Sequence, residues 1–261
     1  MNKRSENTDR SPKDSMEISV FYFSGTGNTK NACAHLKAFM ETRNHSVTLH
    51  AIEDLMIEDD EALASIIDKA DNVGLAYPIY GANIPKIVDS FIQRLSSLKI
   101  QRKKVFIIST VGFINAYGPF IIMKRLKKIG FSLYWHYEYR TVNSADIKKP
   151  PFDLLEEKHA AQTDKFDKFC ISIIEGKKYF DGIGPWIIGG YIVRNALKRT
   201  IASHYRSLYV DMDSCIRCER CVKNCPMNSI RIRNEEFIFS EECTTCFRCM
   251  NACPVDAIKD R

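Results

Sequence analysis

Along residues 17–175, segments with the apolar pattern of strands alternate with segments in which apolar residues recur at the spacing of a helix. Five apolar runs have the composition of strands: 17–23, 46–50, 72–77, 104–109 and 131–139. Patterns of helical period fill the intervals and follow the last run, at 28–42, 59–70, 86–98, 119–129 and 152–175. Strands that alternate with helices are typical of a parallel sheet with helices on both faces. The pattern therefore predicts a doubly wound α/β domain over residues 17–175.

The chain changes character on both sides of this domain. Residues 1–16 are polar and charged without an apolar core, so we expect a disordered tail and no secretory signal. Residues 176–206 begin with a segment broken by glycine and proline and continue as a helix-like run in which basic residues alternate with apolar ones. We expect a basic linker helix packed between two domains. Docking to an acidic partner or a membrane surface is the alternative.

Composition and charge narrow the class of protein. The 45% hydrophobic and 27% charged content is that of a globular protein. Of the net charge of +6, residues 176–206 contribute six Lys/Arg against one Asp, whereas residues 207–261 carry eight Lys/Arg and nine Asp/Glu. The longest apolar stretch, 183–193, is broken by glycine and proline and is shorter than the roughly 20 residues of a membrane-spanning helix. We expect a cytoplasmic protein with no membrane span and no nucleic-acid partner.

Eight of the ten cysteines lie in one repeated pattern near the end of the sequence. The first copy begins at Cys215 and the second begins 28 residues later, at Cys243. Each copy reads C-x-x-C-x-x-C-x-x-x-C-P, and the match extends beyond the thiols because Arg220 recurs as Arg248. Regular spacing of this kind favours a metal site over disulfides in an intracellular chain. The two cysteines outside the pattern, Cys33 and Cys170, are predicted to be small buried residues.

The cysteine pattern resembles that of bacterial ferredoxins with two 4Fe-4S clusters, in which the fourth cysteine of one copy ligates the cluster of the other. The resemblance implies that residues 207–261 form a ferredoxin-like domain with two ligand sets. Cluster one would use Cys215, Cys218, Cys221 and Cys253, and cluster two would use Cys243, Cys246, Cys249 and Cys225. Zinc is the alternative metal. A four-ligand zinc site, however, does not require three evenly spaced thiols, a fourth thiol and a proline in two copies.

A glycine-rich turn follows the first predicted strand. It reads SGTGNTKN over residues 24–31 and opens the first helix. Successive backbone N–H groups, short hydroxyls and a helix N-terminus favour an anion. Lys30 stands where the dinucleotide fingerprint needs its third glycine, and the Gly-Lys of a Walker loop is absent. The turn therefore predicts a phosphate site formed by Ser24, Gly25, Thr26, Gly27, Asn28 and Thr29.

Two further loops, 76–85 and 109–119, follow the third and fourth predicted strands. Ligands of open α/β sheets bind at the carboxyl ends of the strands, so these loops should lie beside the phosphate site. Each contains glycine for close backbone approach and an aromatic residue able to cover a planar ring. Tyr80 is predicted to stack on such a ring, with Phe113 or Tyr117 as weaker candidates and simple packing as the other interpretation.

The phosphate turn resembles the S-x-T-G-N-T phosphate loop of flavodoxins, and the order of elements resembles that fold over about 160 residues. The resemblance implies a five-stranded sheet of order 2-1-3-4-5 and FMN as the ligand. The FMN phosphate would lie in the turn and the isoalloxazine ring between the two later loops. The implied ring contacts are Pro78, Ile79, Tyr80, Gly81, Ala82, Thr110, Val111 and Gly112.

The two resemblances together describe the chain from residue 17 onward, which is similar to flavodoxin–ferredoxin fusion proteins common in anaerobes. That family implies an electron-transfer iron-sulfur flavoprotein that moves electrons between two 4Fe-4S clusters and FMN and exchanges them with redox partner proteins. The alternative is a flavin-dependent reductase of a small acceptor such as a quinone, with a pocket shaped by the long loop 111–119. No Ser/His/Asp or Cys/His arrangement indicates a nucleophile, so no catalytic residue is predicted.

Overall fold

A computed structural model describes residues 15–80, 83–98, 100, 102–112, 118–141, 152–182, 184, 189, 191, 192, 195, 196 and 203–261. Most of the predicted tail and much of the predicted linker lie outside these residues. The last tail residue inside them, Met16, is buried, and its carbonyl oxygen accepts a hydrogen bond of 2.9 Å from the N–H of Ser46. Met16 therefore packs with the sheet that follows it.

A six-stranded parallel sheet has the strand order β2-β1-β3-β4-β5-β6. This is the doubly wound flavodoxin order extended by one strand. The predicted strands are confirmed to within two residues at each end. The strands are β1 (Glu17–Tyr22), β2 (Ser46–Ala51), β3 (Asn72–Pro78), β4 (Lys104–Val111), β5 (Ser132–Arg140) and β6 (Tyr179–Phe180). The sixth strand was not predicted, because a strand of two residues is too short to show an alternation of apolar and polar positions.

Helices cover both faces of the sheet, as the alternating pattern predicts. They are α1 (Asn28–Glu41), α2 (Ile52–Leu55), α3 (Asp60–Lys69), α4 (Lys86–Leu95), α5 (Gly118–Lys128) and α6 (Phe152–Ile174). One core packs α2, α3, α4 and α5 on β1, β3 and β4, and the other packs α1 and α6 on the opposite face. All seven residues of β3 are buried, which is the expected state of a central parallel strand.

Residues 207–261, here called the cysteine-rich region, form two small antiparallel sheets. Its elements are β7 (Leu208–Val210), α7 (Arg220–Lys223), β8 (Ile230–Arg233), β9 (Glu236–Phe239), α8 (Arg248–Ala252) and β10 (Ile258–Asp260). The hairpin β8–β9 lies between the two cysteine copies. The pairing of β10 with β7 was not predicted and closes the region on itself. Its apolar core is only Leu208, Ile230, Phe239, Met250 and Ile258 with their partly buried neighbours.

None of the described helices is both long enough and apolar enough to cross a bilayer.

Candidate functional site

The cysteine-rich region brings thiols together across the two copies. Cys221 interacts electrostatically with Cys215 of its own copy and with Cys253 of the other. Cys249 interacts with Cys246, Cys243 and, across the copies, Cys225. The fourth cysteine of each copy thus lies near the third cysteine of the other copy, and the assignment of ligand sets stays a prediction. Cys218 is the most exposed of the eight thiols, and Cys246 is buried.

The backbone repeats with the same offset of 28 residues as the sequence. Three non-glycine residues in each copy adopt the left-handed conformation at matching positions: Arg217, Glu219 and Asn228 with φ of 53°, 55° and 49°, and Thr245, Phe247 and Asp256 with φ of 52°, 56° and 48°. A non-glycine residue in this conformation costs about 1–3 kcal/mol and persists only where its surroundings demand it. The repeated strain indicates that both loops are shaped around equivalent sites.

Backbone N–H groups point at the thiols in the same repeated way. The N–H two residues after the first cysteine of a copy donates to its Sγ, as does the N–H four residues after the last cysteine. The four bonds are Arg217 to Cys215 (3.4 Å), Thr245 to Cys243 (3.4 Å), Ser229 to Cys225 (3.3 Å) and Ala257 to Cys253 (3.2 Å). Such donors stabilise negative charge on sulfur, the form in which cysteine ligates iron.

The donor set therefore fits two iron-sulfur clusters. It consists of soft thiolate ligands in two sets of four, held by loops that already surround them. Among the described residues, no three His, Cys, Asp or Glu side chains converge on the position of a single metal ion.

The two cysteines outside the repeat have a different environment. Cys33 and Cys170 are both fully buried in the core under α1 and α6. Burial raises the pKa of each thiol well above its usual value, so both remain protonated and apolar. The prediction that they are small core residues is confirmed.

The phosphate turn leads from β1 into α1. Gly27 is the N-cap of the helix with φ of 98°, and a Cβ placed there would meet no atom within 4 Å. The first turn of α1 contains no acidic residue and no side chain caps it. The Ser24 hydroxyl accepts a bond of 3.2 Å from the N–H of Lys30, which holds the turn closed. Open space beside Gly27 at the positive end of a 14-residue helix fits a phosphate group.

The two loops predicted to contact a ring meet this turn at the carboxyl ends of β3 and β4. The Thr29 hydroxyl lies 2.8 Å from that of Thr110, and both are buried. The N–H of Ile79 donates to the carbonyl of Thr110 at 2.9 Å, and Pro78 pairs with Thr110 in the sheet. The structure thus brings together residues 24–29, 78–80 and 110–112. Gly81, Ala82, Phe113 and Tyr117 lie outside the described residues.

Tyr80 has an environment that the sequence did not indicate. Its backbone bonds reciprocally with Asn83, and its hydroxyl oxygen lies 2.3 Å from the position of a Cβ added to Gly25. Burial raises the pKa of the Tyr80 hydroxyl, and the nearby Cys246 thiol raises it further. Tyr80 therefore lies near both Gly25 of the phosphate turn and Cys246 of the second cysteine copy, and its stacking on a flavin ring stays a prediction.

Arg248 and Glu53 form an ion pair at this site that the sequence did not predict. The Arg248 guanidinium makes two bonds to the Glu53 carboxylate, at 2.6 and 2.9 Å. It also donates to the carbonyls of Ser24 at 2.8 Å and Gly25 at 3.2 Å. The recurrence of arginine in both cysteine copies was visible, but nothing in the sequence connects it to a glutamate 195 residues away.

A cavity of about 510 Å³ opens beside Gly112 at the carboxyl end of β5. Its other lining residues are Tyr137, Glu138, Arg140, Thr141, Gln162, Lys165 and Asp181. The Glu138 side chain is only 8% exposed and lies 3.3 Å from the Arg140 guanidinium. The cavity therefore combines charged side chains with apolar surface and lies next to a loop predicted to contact the flavin.

Comparison with known protein families identifies the cysteine-rich region. Residues 207–254 match the family model of the 4Fe-4S dicluster domain. No curated protein matches the sequence. The match covers the eight cysteines and leaves the parallel sheet outside it.

Solved structures similar to this chain include flavodoxins. Flavodoxin 2 from Bacillus cereus is 21% identical, over 61% of this chain and 99% of that one, with a TM-score of 0.46. The flavodoxin of Megasphaera elsdenii is 23% identical over 55% and 98%, with a TM-score of 0.41. Rubredoxin oxygen:oxidoreductase from the anaerobe Desulfovibrio gigas is 16% identical over 61% of this chain but only 36% of its own length, with a TM-score of 0.44.

The assignment of the N-terminal part rests on its own topology, a parallel sheet of order 2-1-3-4-5 with one added strand. The chain thus joins a flavodoxin-like fold to a 4Fe-4S dicluster domain, a combination that fits a flavodoxin–ferredoxin fusion with an electron-transfer or oxidoreductase role.

Proposed function

We propose that this protein is an electron-transfer iron-sulfur flavoprotein that moves electrons between two 4Fe-4S clusters and FMN and exchanges them with redox partner proteins. The observation that carries the proposal is the contact between the two predicted sites. Cys246 packs directly on Gly25, so a cluster thiol adjoins the phosphate turn without an intervening element. Electron transfer between two cofactors requires that their sites lie close together, and this contact brings the two predicted sites together.

The residues have distinct tasks in this proposal. When bound, the clusters pass single electrons and FMN stores one or two, so the pair converts between one-electron and two-electron chemistry. The eight repeat cysteines hold the clusters, and the N–H donors to their sulfurs stabilise the ligating form. Ser24, Thr26, Asn28 and Thr29 with the start of α1 would hold the phosphate. The hydrogen bond between Thr29 and Thr110 fixes the phosphate turn against the second ring loop.

The division of the chain follows from these tasks. We assign residues 17–175 to FMN binding, residues 176–206 to a basic linker and residues 207–261 to the clusters. The start of this linker also contributes β6, which pairs with β5 at the edge of the sheet. The cytoplasm is the proposed location, because eight of the ten cysteines are assigned to clusters, the other two are buried in the sheet core, and a reducing compartment preserves thiols.

A second function, reduction of a small acceptor at the flavin, is favoured by the cavity beside Gly112. A volume of about 510 Å³ is large enough for a small organic molecule. Its position next to a ring loop would bring such a molecule towards the flavin. Four of its eight lining residues are charged, however, and the carrier is the better supported of the two.

Anaerobic purification tests the proposal. About eight iron atoms and one FMN are expected per chain, and zinc in place of iron would overturn the metal assignment. Mixing the reduced holoprotein with small acceptors such as quinones then separates the two functions. A carrier turns them over no faster than free FMN, whereas repeated turnover above that rate would support the reductase.

A further inference from the structure

The contacts between the sheet and the cysteine-rich region come from one side of that region. The segment Glu241–Arg248, which contains Cys243 and Cys246, lies against the phosphate turn and the start of α4. Met227 packs on the core under α2–α5 and follows Cys225 by two residues. These contacting segments carry three of the four thiols assigned to cluster two.

Arg248 makes the central contact of this interface. Its side chain reaches Glu53 with two nitrogens and the carbonyls of Ser24 and Gly25 with Nη2 and Nε. Its charge is thus paired with a carboxylate, and Nη2 and Nε hold the phosphate turn while Nη1 also donates to the carbonyl of Asn224 at 3.4 Å. A planar guanidinium provides this fork of donors, and the ammonium of lysine does not.

Thr244 makes a second, independent contact. Helix α4 begins after Pro85 without a side-chain cap of its own, and the Thr244 hydroxyl accepts a bond of 2.8 Å from the first helical N–H, that of Lys86. The Lys86 ammonium in turn donates to the carbonyl of Glu241. Thr244 of the cysteine-rich region therefore caps the N-terminus of α4, one of the helices that cover the sheet.

The first cysteine copy is turned outward instead. Cys218 and Arg220 are exposed, and Ile216 is 60% exposed. Arg220 occupies the same place in the first copy as Arg248 does in the second, yet its surroundings are solvent. The two copies share a sequence pattern but differ in what their arginine contacts.

We infer that Arg248 is a positioning residue that docks cluster two on the phosphate turn, so that cluster two exchanges electrons with the flavin and cluster one faces external redox proteins. This inference rests on the proposed function and adds an order to it: partner, cluster one, cluster two, flavin. The hydrogen bonds from Arg248 to Glu53, Ser24 and Gly25 fix the distance between cluster two and the phosphate turn. The exposed Cys218 leaves cluster one accessible.

The experiment compares Arg248→Gln with its matched control, Arg220→Gln, in the full-length holoprotein. Loss of one partner of a largely buried charge pair costs about 2 kcal/mol, so the docking equilibrium should shift on the order of 30-fold towards the undocked form. Two readouts are used. Hydrogen exchange of peptides covering residues 24–27 and 244–248 reports docking, and stopped-flow reduction reports the rate of electron transfer between clusters and flavin.

The expected result is faster exchange in both peptides and slower transfer in Arg248→Gln, with iron and flavin content unchanged and Arg220→Gln equal to the wild type. Unchanged exchange and transfer in Arg248→Gln would overturn the inference. If that variant loses iron, Glu53→Gln breaks the same pair from the other side and must give the same two changes. Absence of internal electron transfer in the wild type would refute the proposed function, whereas the exchange data would still decide the role of Arg248.

Discussion

Gly25 of the phosphate turn and Cys246 of the second cysteine copy are in direct backbone contact. A Cβ added at Gly25 would lie 2.7 Å from the carbonyl oxygen of Cys246 and 2.9 Å from its Cβ, as well as 2.3 Å from the hydroxyl of Tyr80. Only glycine allows this approach. Residues 221 positions apart in the sequence, one in each predicted cofactor site, thus share a single packed contact.

Replacement of Gly25 by alanine should separate the two sites. The added methyl group meets backbone atoms of Cys246, which cannot move aside as a flexible side chain would, and overpacking of this kind costs about 1–3 kcal/mol. Denaturant unfolding should show that loss, and hydrogen exchange should rise around Cys246. The control is Gly189→Ala, because a Cβ at Gly189 meets nothing within 4 Å. Equal stabilities of the two variants would contradict the contact.

Serine substitutions of single cysteines test the pairing across copies. Cys225 belongs to the first copy, but it interacts with Cys243, Cys246 and Cys249 of the second. Anaerobic EPR should therefore show the same altered cluster in Cys225→Ser and Cys246→Ser, and the other cluster altered in Cys215→Ser. If Cys225→Ser instead reproduces the spectrum of Cys215→Ser, each copy holds its own cluster and the assignment fails.

A negative charge in the phosphate turn should prevent FMN binding without affecting iron. Thr26→Asp places a carboxylate beside the dianionic phosphate, and the repulsion at about 4 Å is on the order of several kcal/mol near a protein surface. FMN affinity, measured by fluorescence titration, should fall by at least about 100-fold. Thr26→Ser keeps the hydroxyl and should bind FMN as the wild type does. Unaltered affinity in Thr26→Asp would mean that the turn has been misassigned.

The bond between Thr29 and Thr110 should couple the phosphate turn to the second ring loop. Both hydroxyls are buried, so Thr29→Val leaves the Thr110 hydroxyl without this partner and should cost about 1–3 kcal/mol of stability. The double variant with Thr110→Val should cost less than the sum of the two single changes. Additive losses in a double-mutant cycle would show that the two hydroxyls do not interact.

His136 should make the free energy of unfolding depend on pH. It lies between the Ser109 hydroxyl and the carbonyl of Asp181, and burial lowers its pKa from 6.5 to about 4 although Asp181 opposes the shift. Between these values the unfolded chain binds a proton that the folded chain does not. The free energy of unfolding should therefore fall as the pH falls from about 6.5 to 4, by up to about 3 kcal/mol.

Denaturant unfolding followed by the fluorescence of buried Trp135 measures this dependence. His136→Gln removes the titrating group, so its stability should change less over the same pH range, whatever its absolute value. Parallel pH profiles for the variant and the wild type would assign the effect to other groups.

Local patterns predicted most of the fold because its elements depend on local chemistry. Strands β1 and β4, which contain Ile18 and Ile107, are apolar in sequence and buried in the structure. Asp59 caps α3 by accepting a bond of 2.6 Å from the N–H of Ala62. The spacing of the eight cysteines likewise predicts their grouping, since each loop contributes neighbouring thiols. These features are encoded within a few residues of where they act.

The interface could not be predicted, because it depends on how two separate units pack. No local sequence pattern links Arg248 to Glu53. Gly25 is expected in a phosphate turn in any case, so its presence does not predict the contact with Cys246. The pairing of β10 with β7 was missed for a similar reason, since three-residue strands form only where the chain brings them together. The sequence defines the two sites, and tertiary packing determines how they meet.

Rapid mixing of the oxidised holoprotein with a one-electron donor under anaerobic conditions tests the central claim most directly. Absorbance should show that the clusters are reduced first and that the flavin is reduced afterwards at their expense. The rate of the second step should be independent of protein concentration, because the electron moves within one chain. A second step that accelerates in proportion to protein concentration, or clusters that stay reduced beside an oxidised flavin, would contradict the account.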